Sequence, residues 1–204
     1  MTRMIHRAVI ASMVAGLAMT SALGQGKTTA AAPSGAAIAE AIADSVVHRL
    51  DDITDLHWHK GEYNHIVNLD RMIVAEHPDH VEAYANAGWL LWSMNRDDEA
   101  VALYKQGIAA NPRSYFLYDE LGNYYYNSKK DWRTAIDYFE KAAACSDCAP
   151  QSLHMLAHSY ERAGRLEKAL ATWKRAATRR DNPTAAAAAR NLERVQKLID
   201  QRSR

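Results

Sequence analysis

Cys145 and Cys148 stand three positions apart, with Ser146 and Asp147 between them. A Cys-x-x-Cys pair can bind a metal, exchange electrons with another thiol pair, or close a small disulfide loop. Covalent haem attachment needs His after the second Cys, and Ala149 stands there. A zinc site needs two more ligands nearby. We read the pair as a disulfide closing a turn, with unpaired thiols and redox or metal work as the other readings. A loop this short stabilises by roughly 2 kcal/mol on the chain-entropy account, before strain.

The chain has nine histidines. His57 and His59 are two apart, so on a helix they face different directions. His154 and His158 are four apart and share a face. Zinc proteases of the His-Glu-x-x-His type need Glu directly after the first His, but Met155 is there. The pair reads as a polar wall, with metal binding or envelope catalysis by these histidines as the alternative. Gly26-Lys27-Thr28 looks like the end of a phosphate loop, but Ser21 stands where that loop needs Gly, and no strand precedes it. No Ser-His-Asp or paired-carboxylate arrangement can be argued. We assign no catalytic residue, no metal ligand and no cofactor.

The elements that must position these groups recur with a period. Pro78 and Pro112 are 34 apart, as are Gly88 and Gly122, and Ala157 follows 35 later. Ala100, Ala135 and Ala169 step by 35 and then 34, as do Tyr104, Phe139 and Trp173. One residue is inserted near Ser128 to Lys130. Extension backwards gives a worn first copy through Leu50, His57, Gly61, Asp70 and Pro78. Terminal copies of an array are expected to be atypical.

Within the second copy Tyr84, Ala87, Gly88 and Leu91 fall on one helical face. Asp97-Asp98 opens a second helix, and Asn111-Pro112 closes it. Small residues (Gly88, Ala100, Gly107) admit close approach of two helices, and large ones (Tyr84, Leu91, Tyr104) fill the space beside them. One such pair cannot bury its whole apolar face, whereas a row can.

Tyr118, Leu121, Gly122, Tyr125, Ala135, Phe139 and Ala142 make the third copy resemble the tetratricopeptide repeat family most closely. The resemblance covers about residues 47–183. It implies an all-α, right-handed superhelical solenoid of helix-turn-helix repeats, at 47–80, 81–114, 115–149 and 150–183. Residues 184–204 follow as a capping helix and tail, with Leu192, Val195, Leu198 and Ile199 on its apolar stripe.

The family's concave channel is lined by the outer face of each first helix. Here that face carries Asp51, Asp55 and Trp58, then Trp89 and Trp92, then Phe116, Asp119, Asn123 and Tyr126, then His154 and His158. Five aromatics in this set point to a binding strip, because aromatics are favoured at interface centres. Packing of Trp89 and Trp92 as plain core is the other reading. Some members clamp a partner's C-terminal carboxylate with Lys and Asn, and Asp51, Asp55, Asp119 and Glu120 would repel one. The expected partner is therefore a neutral or basic peptide or helix segment of another protein.

Composition bounds the rest. The net charge is +1 over 204 residues, so no basic field points to nucleic acid. Arg3, His6 and Arg7 precede an uncharged run from Ala8 to Leu23, ending Ser21-Ala22-Leu23-Gly24. This reads as a cleaved signal peptide over 1–24 and hence a periplasmic or secreted protein. The run is short of the about 20 residues a bilayer span requires. Residues 25–46 read as a flexible linker, with a possible helical extension at Glu40 to Asp44. The expected function is a protein-binding scaffold, adaptor or assembly factor without turnover. A domain serving only self-assembly is a further reading, since oligomeric state is not written in these residues.

Overall fold

The computed structural model describes residues 34–203, so the expected signal peptide and residues 25–33 lie outside it. Among the described residues the chain is helical throughout, with no strand. Four helix pairs follow one another: α1 (Gly35–Lys60) with α2 (Tyr63–Glu76), α3 (Val81–Ser93) with α4 (Asp97–Ala110), α5 (Tyr115–Tyr124) with α6 (Trp132–Ala144), and α7 (Pro150–Arg162) with α8 (Leu166–Thr178). A final helix, α9 (Ala185–Arg202), packs against α8 and buries Ala188 and Val195. Leu192 and Ile199 are partly covered there, while Leu198 stays exposed.

α1 reaches further back than the sequence suggests. Ser34 caps it by accepting the Ala37 N–H at 3.2 Å, so part of the expected linker is helical. This extension carries Ile38, Ile42 and Val46 on its exposed side.

Each pair turns on a residue in the left-handed region: Gly61, Asn95, Lys130 and Gly164, with φ of 72°, 61°, 53° and 73°. In three of them the next residue's N–H closes the turn onto a carbonyl five residues back. These are Glu62 to His57, Arg96 to Leu91 and Arg165 to Tyr160. In the third pair Asp131 reaches six back, to Tyr125. The inserted residue sits there, taken up by a π-helical turn at Tyr125–Lys129.

The core is built from the small-against-large pattern. Tyr84, Tyr104, Phe139 and Trp173 are at most 1% exposed. Tyr104 lies on Gly88, Tyr84 and Leu117 lie on Gly107, and Phe139 lies on Gly122. Buried side chains form two clusters, Val47 to Tyr124 and Ala135 to Val195, with Tyr125 packed against both.

The expected Cys145–Cys148 bridge is not formed in the structure, where both are free thiols. Cys145 Sγ faces the Lys141 carbonyl at 3.4 Å, back along α6, while Cys148 Sγ faces the Ala149 carbonyl at 3.3 Å. The turn already holds through the Cys148 N–H to the Cys145 carbonyl at 3.2 Å. Cys148 is buried and Cys145 half-buried, so the two sulfurs occupy different surroundings.

Candidate functional site

α2 packs against both α1 and α3. A cleft of about 750 Å³ opens between these helices. Asp51, Thr54, Asp55, Trp58 and His59 line it from α1, Asp70 from α2, and Glu82 and Asn86 from α3, with His80 at the rim. Four carboxylates therefore meet in one hollow that contains no Lys or Arg.

Asp70 is the most constrained of them, at 3% exposed. Asn86 Nδ2 donates to its Oδ2 at 2.8 Å. Burial pushes its carboxyl up to about 7, against the Asn86 bond, and the charge on Asp51 adds to the rise. His80 caps α3: its Nδ1 accepts the Ala83 N–H at 3.2 Å, which leaves the proton on Nε2, facing Asp51 at 3.7 Å. Asp55 has His59 Nε2 at 3.8 Å, one turn on.

Trp58 is the aromatic residue of the cleft lining, and Trp89 stands beside it. The Trp58 and Trp89 rings lie 5.9 Å apart between centroids, tilted by 33°. Tyr63 meets Trp58 edge-on at 5.6 Å. Trp58 and Trp89 are both half-buried against the first core cluster, and Trp58 also turns toward the cleft.

The remaining expected groove residues do not join this cleft. Trp92 turns to the next pair, where its Nε1 donates to Ser128 Oγ at 2.9 Å and its ring meets Tyr124 edge-on. Phe116 packs beside Tyr115, and Tyr126 meets Trp132 edge-on at 5.2 Å. Asn123 Nδ2 reaches Asp119 Oδ2 at 3.5 Å, while Asp119 Oδ1 is buried without a partner. Burial pushes Asp119 up to about 6 and Glu120 up to about 7.

His154 and His158 both meet the buried Trp173 edge-on, at 5.1 and 4.8 Å. His154 Nε2 lies 3.1 Å from Asn182 Nδ2, which has hydrogens to donate to it. His158 Nδ1 lies 3.8 Å from Glu161. Burial pushes both imidazoles down, and the neighbouring His158 lowers His154 further. Among the described residues the group of three ligand side chains that converges lies elsewhere, at His57, Glu62 and His65.

The sequence did not single out Asp70, Asn86 or His80. A signal for Asp70 was present: it stands where the other copies carry Tyr104, Phe139 and Trp173. An acid at the most buried aromatic position of a repeat has a reason other than packing.

Residues 81–114 and residues 152–186 each match the tetratricopeptide repeat family. No curated protein matches the chain. Among solved structures, the chain is similar to a MamA protein at 17% identity, covering 77% of this chain and 90% of that one, with TM-score 0.53. It is similar to PilW, a widely conserved type IV pilus biogenesis factor, at 16% identity, covering 76% and 71%, with TM-score 0.58. A kinesin light chain-like protein of Podosopora anserina with nearly identical TPR-like repeats aligns at 18% identity over 77% and 88%, with TM-score 0.54. At these identities the likeness is one of fold.

Proposed function

The chain is a tetratricopeptide repeat protein, and from that premise we propose that it binds a basic, partly apolar segment of a partner protein in the cleft of α1, α2 and α3. The observation that carries this reading is the grouping of Asp51, Asp55, Asp70 and Glu82 beside the Trp58–Trp89 pair. A cationic side chain finds opposite charge there, and its aliphatic stem finds aromatic surface. Held by a rigid helix array, such a hollow acts as a scaffold or adaptor rather than a place of turnover.

The outer faces of α5 and α7, with Phe116, Asp119, Asn123, Tyr126, His154 and His158, extend the same binding side along the array. Export to the periplasm or cell surface completes the proposal. It is supported by the charged start and apolar run of residues 1–24. None of the described helices is long and apolar enough to cross a membrane. That one fold neighbour is a pilus biogenesis factor is compatible with an assembly role in the envelope.

The test is titration of the protein with two synthetic peptides of equal length and opposite charge, followed by tryptophan fluorescence. The basic peptide is expected to bind and the acidic one to leave the signal unchanged. Asp51→Asn with Trp89→Ala is expected to abolish binding while the circular dichroism spectrum stays that of the parent. Equal binding of both peptides, or undiminished binding by the double variant, would sink the proposal.

A further inference from the structure

The turn from α1 to α2 carries a second constellation that the groove does not use. His57 lies in the last turn of α1, Glu62 caps α2, and His65 lies in the first turn of α2. Their ligand atoms all lie within 4.8 Å of one another. His57 Nδ1 is 2.5 Å from Glu62 Oε2, and His65 Nδ1 is 3.9 Å from the same oxygen. The two imidazoles meet edge-on at 5.1 Å. Among the described residues this is the one group of three such side chains that converges.

The local backbone fixes this geometry. Gly61 turns the chain at φ 72°, with its N–H on the Trp58 carbonyl and the Glu62 N–H on the His57 carbonyl. The same turn occurs in the other copies, but with different side chains. Where His57 stands they carry Leu91, Tyr125 and Tyr160, and where His65 stands they carry Glu99, Thr134 and Lys168. An imidazole in place of a packed apolar residue puts a ligand atom at the turn's edge.

The geometry points to a divalent transition-metal site formed by His57, Glu62 and His65, taking zinc or copper in preference to magnesium or calcium. Two imidazole nitrogens and one carboxylate oxygen suit the first two ions, whereas the harder ions require mostly oxygen. Metal–ligand bonds of about 2.0–2.2 Å need ligand atoms that face one centre. Rotation of the exposed Glu62 and His65 side chains supplies the closure. Binding ties the last turn of α1, which carries Trp58, to α2.

The experiment is calorimetric titration of the untagged full-length chain with zinc chloride alone, then copper chloride alone. Cys145→Ser and Cys148→Ser are introduced throughout so that thiols do not compete. One equivalent of each ion is expected, with copper bound more tightly. His65→Gln and Glu62→Gln, both at exposed positions, are each expected to weaken binding by about tenfold or more. His154→Gln with His158→Gln is expected to bind as the parent does. Zinc is expected to raise Tm in the parent and not in His65→Gln. Undiminished binding in both single variants, loss of binding in the His154/His158 variant, or no binding below millimolar metal overturns the assignment.

Discussion

The Tyr104 ring covers Gly88 so closely that a methyl group built there would stand 2.5 Å from its Cε1. Tyr104 is fully buried, so it has no open direction in which to retreat. Gly88→Ala is therefore expected to destabilise the protein by about 1–3 kcal/mol or more, as overpacking does. Gly164→Ala provides the contrast. Its added methyl would meet nothing within 4 Å, but its φ is +73°. The cost there is the left-handed conformation alone, about 1–2 kcal/mol. Urea unfolding of the two variants checks the order, and a larger loss at Gly164 would contradict it.

Tyr104 also brings a penalty of its own. Its hydroxyl is buried without a hydrogen-bond partner, and burial pushes its ionisation well above the ordinary tyrosine range. An unmade bond of that kind costs about 1–3 kcal/mol. Tyr104→Phe is expected to raise stability by about 1 kcal/mol, or roughly 2–4 °C in Tm for a chain of this size. Phe139 already occupies the matching position of the next copy. A fall in Tm would show that the hydroxyl contributes a bond.

Asp70 predicts a pH dependence. Its folded value, about 7, lies above its ordinary 3.8, so between these limits the folded state holds a proton that the unfolded state has lost. Stability is then fully present below about pH 4 and falls as pH rises to about 7, beyond which this contribution is flat. Asp119 and Glu120, raised by burial to about 6 and 7, act in the same direction. Asp70→Asn, which can still accept the Asn86 bond, is expected to flatten part of this decline. Chemical denaturation at pH 5 and pH 8 measures it, and an unchanged difference between the two would refute the cause. Binding of a cationic peptide carries the opposite sign and should tighten across the same interval.

The end of the array depends on one ion pair. Glu161 accepts from Trp173 Nε1 at 2.8 Å, and two Arg194 nitrogens reach its oxygens at 2.8 Å. Burial raises the Glu161 carboxyl, but the Arg194 and Trp173 bonds outweigh it and the net shift is downward. Arg194→Ala leaves that carboxylate largely covered and without its cation. It is expected to cost about 1–2 kcal/mol and to loosen α9 before the rest. Faster amide exchange confined to α9 and the end of α8 is the expected signature, whereas uniform protection would argue against it.

The fold was legible because the repeat writes the same contact several times. Tyr104 meets Gly88 and Phe139 meets Gly122 in one register, Trp173 and Ala157 hold the matching positions of the last copy, and local spacing is enough to reveal it. The first copy was harder to read, because its chemistry lies in departures from the pattern. Asp70 replaces a core aromatic and His57 replaces a packed leucine or tyrosine, so both look like decay when identities are compared. The partnerships also join residues distant in sequence. Asn86 meets Asp70, and Ser128 meets Trp92, and no helical period relates the members of either pair. The split of the aromatic strip had the same origin. Trp89 and Trp92 share a helix face, yet one turns back to Trp58 and the other forward to Tyr124.

The π-helical turn at Tyr125–Lys129 absorbs one extra residue between two helices that otherwise stack as their neighbours do. It acts as a genetic suppressor does on a frameshift. The message is disturbed for a few letters and is then read in phase to the end. Length in this array is therefore set by the grammar of the turn rather than by the core. A designer who adds one residue to a first helix has in this turn the pattern of the local deformation that restores the downstream phase.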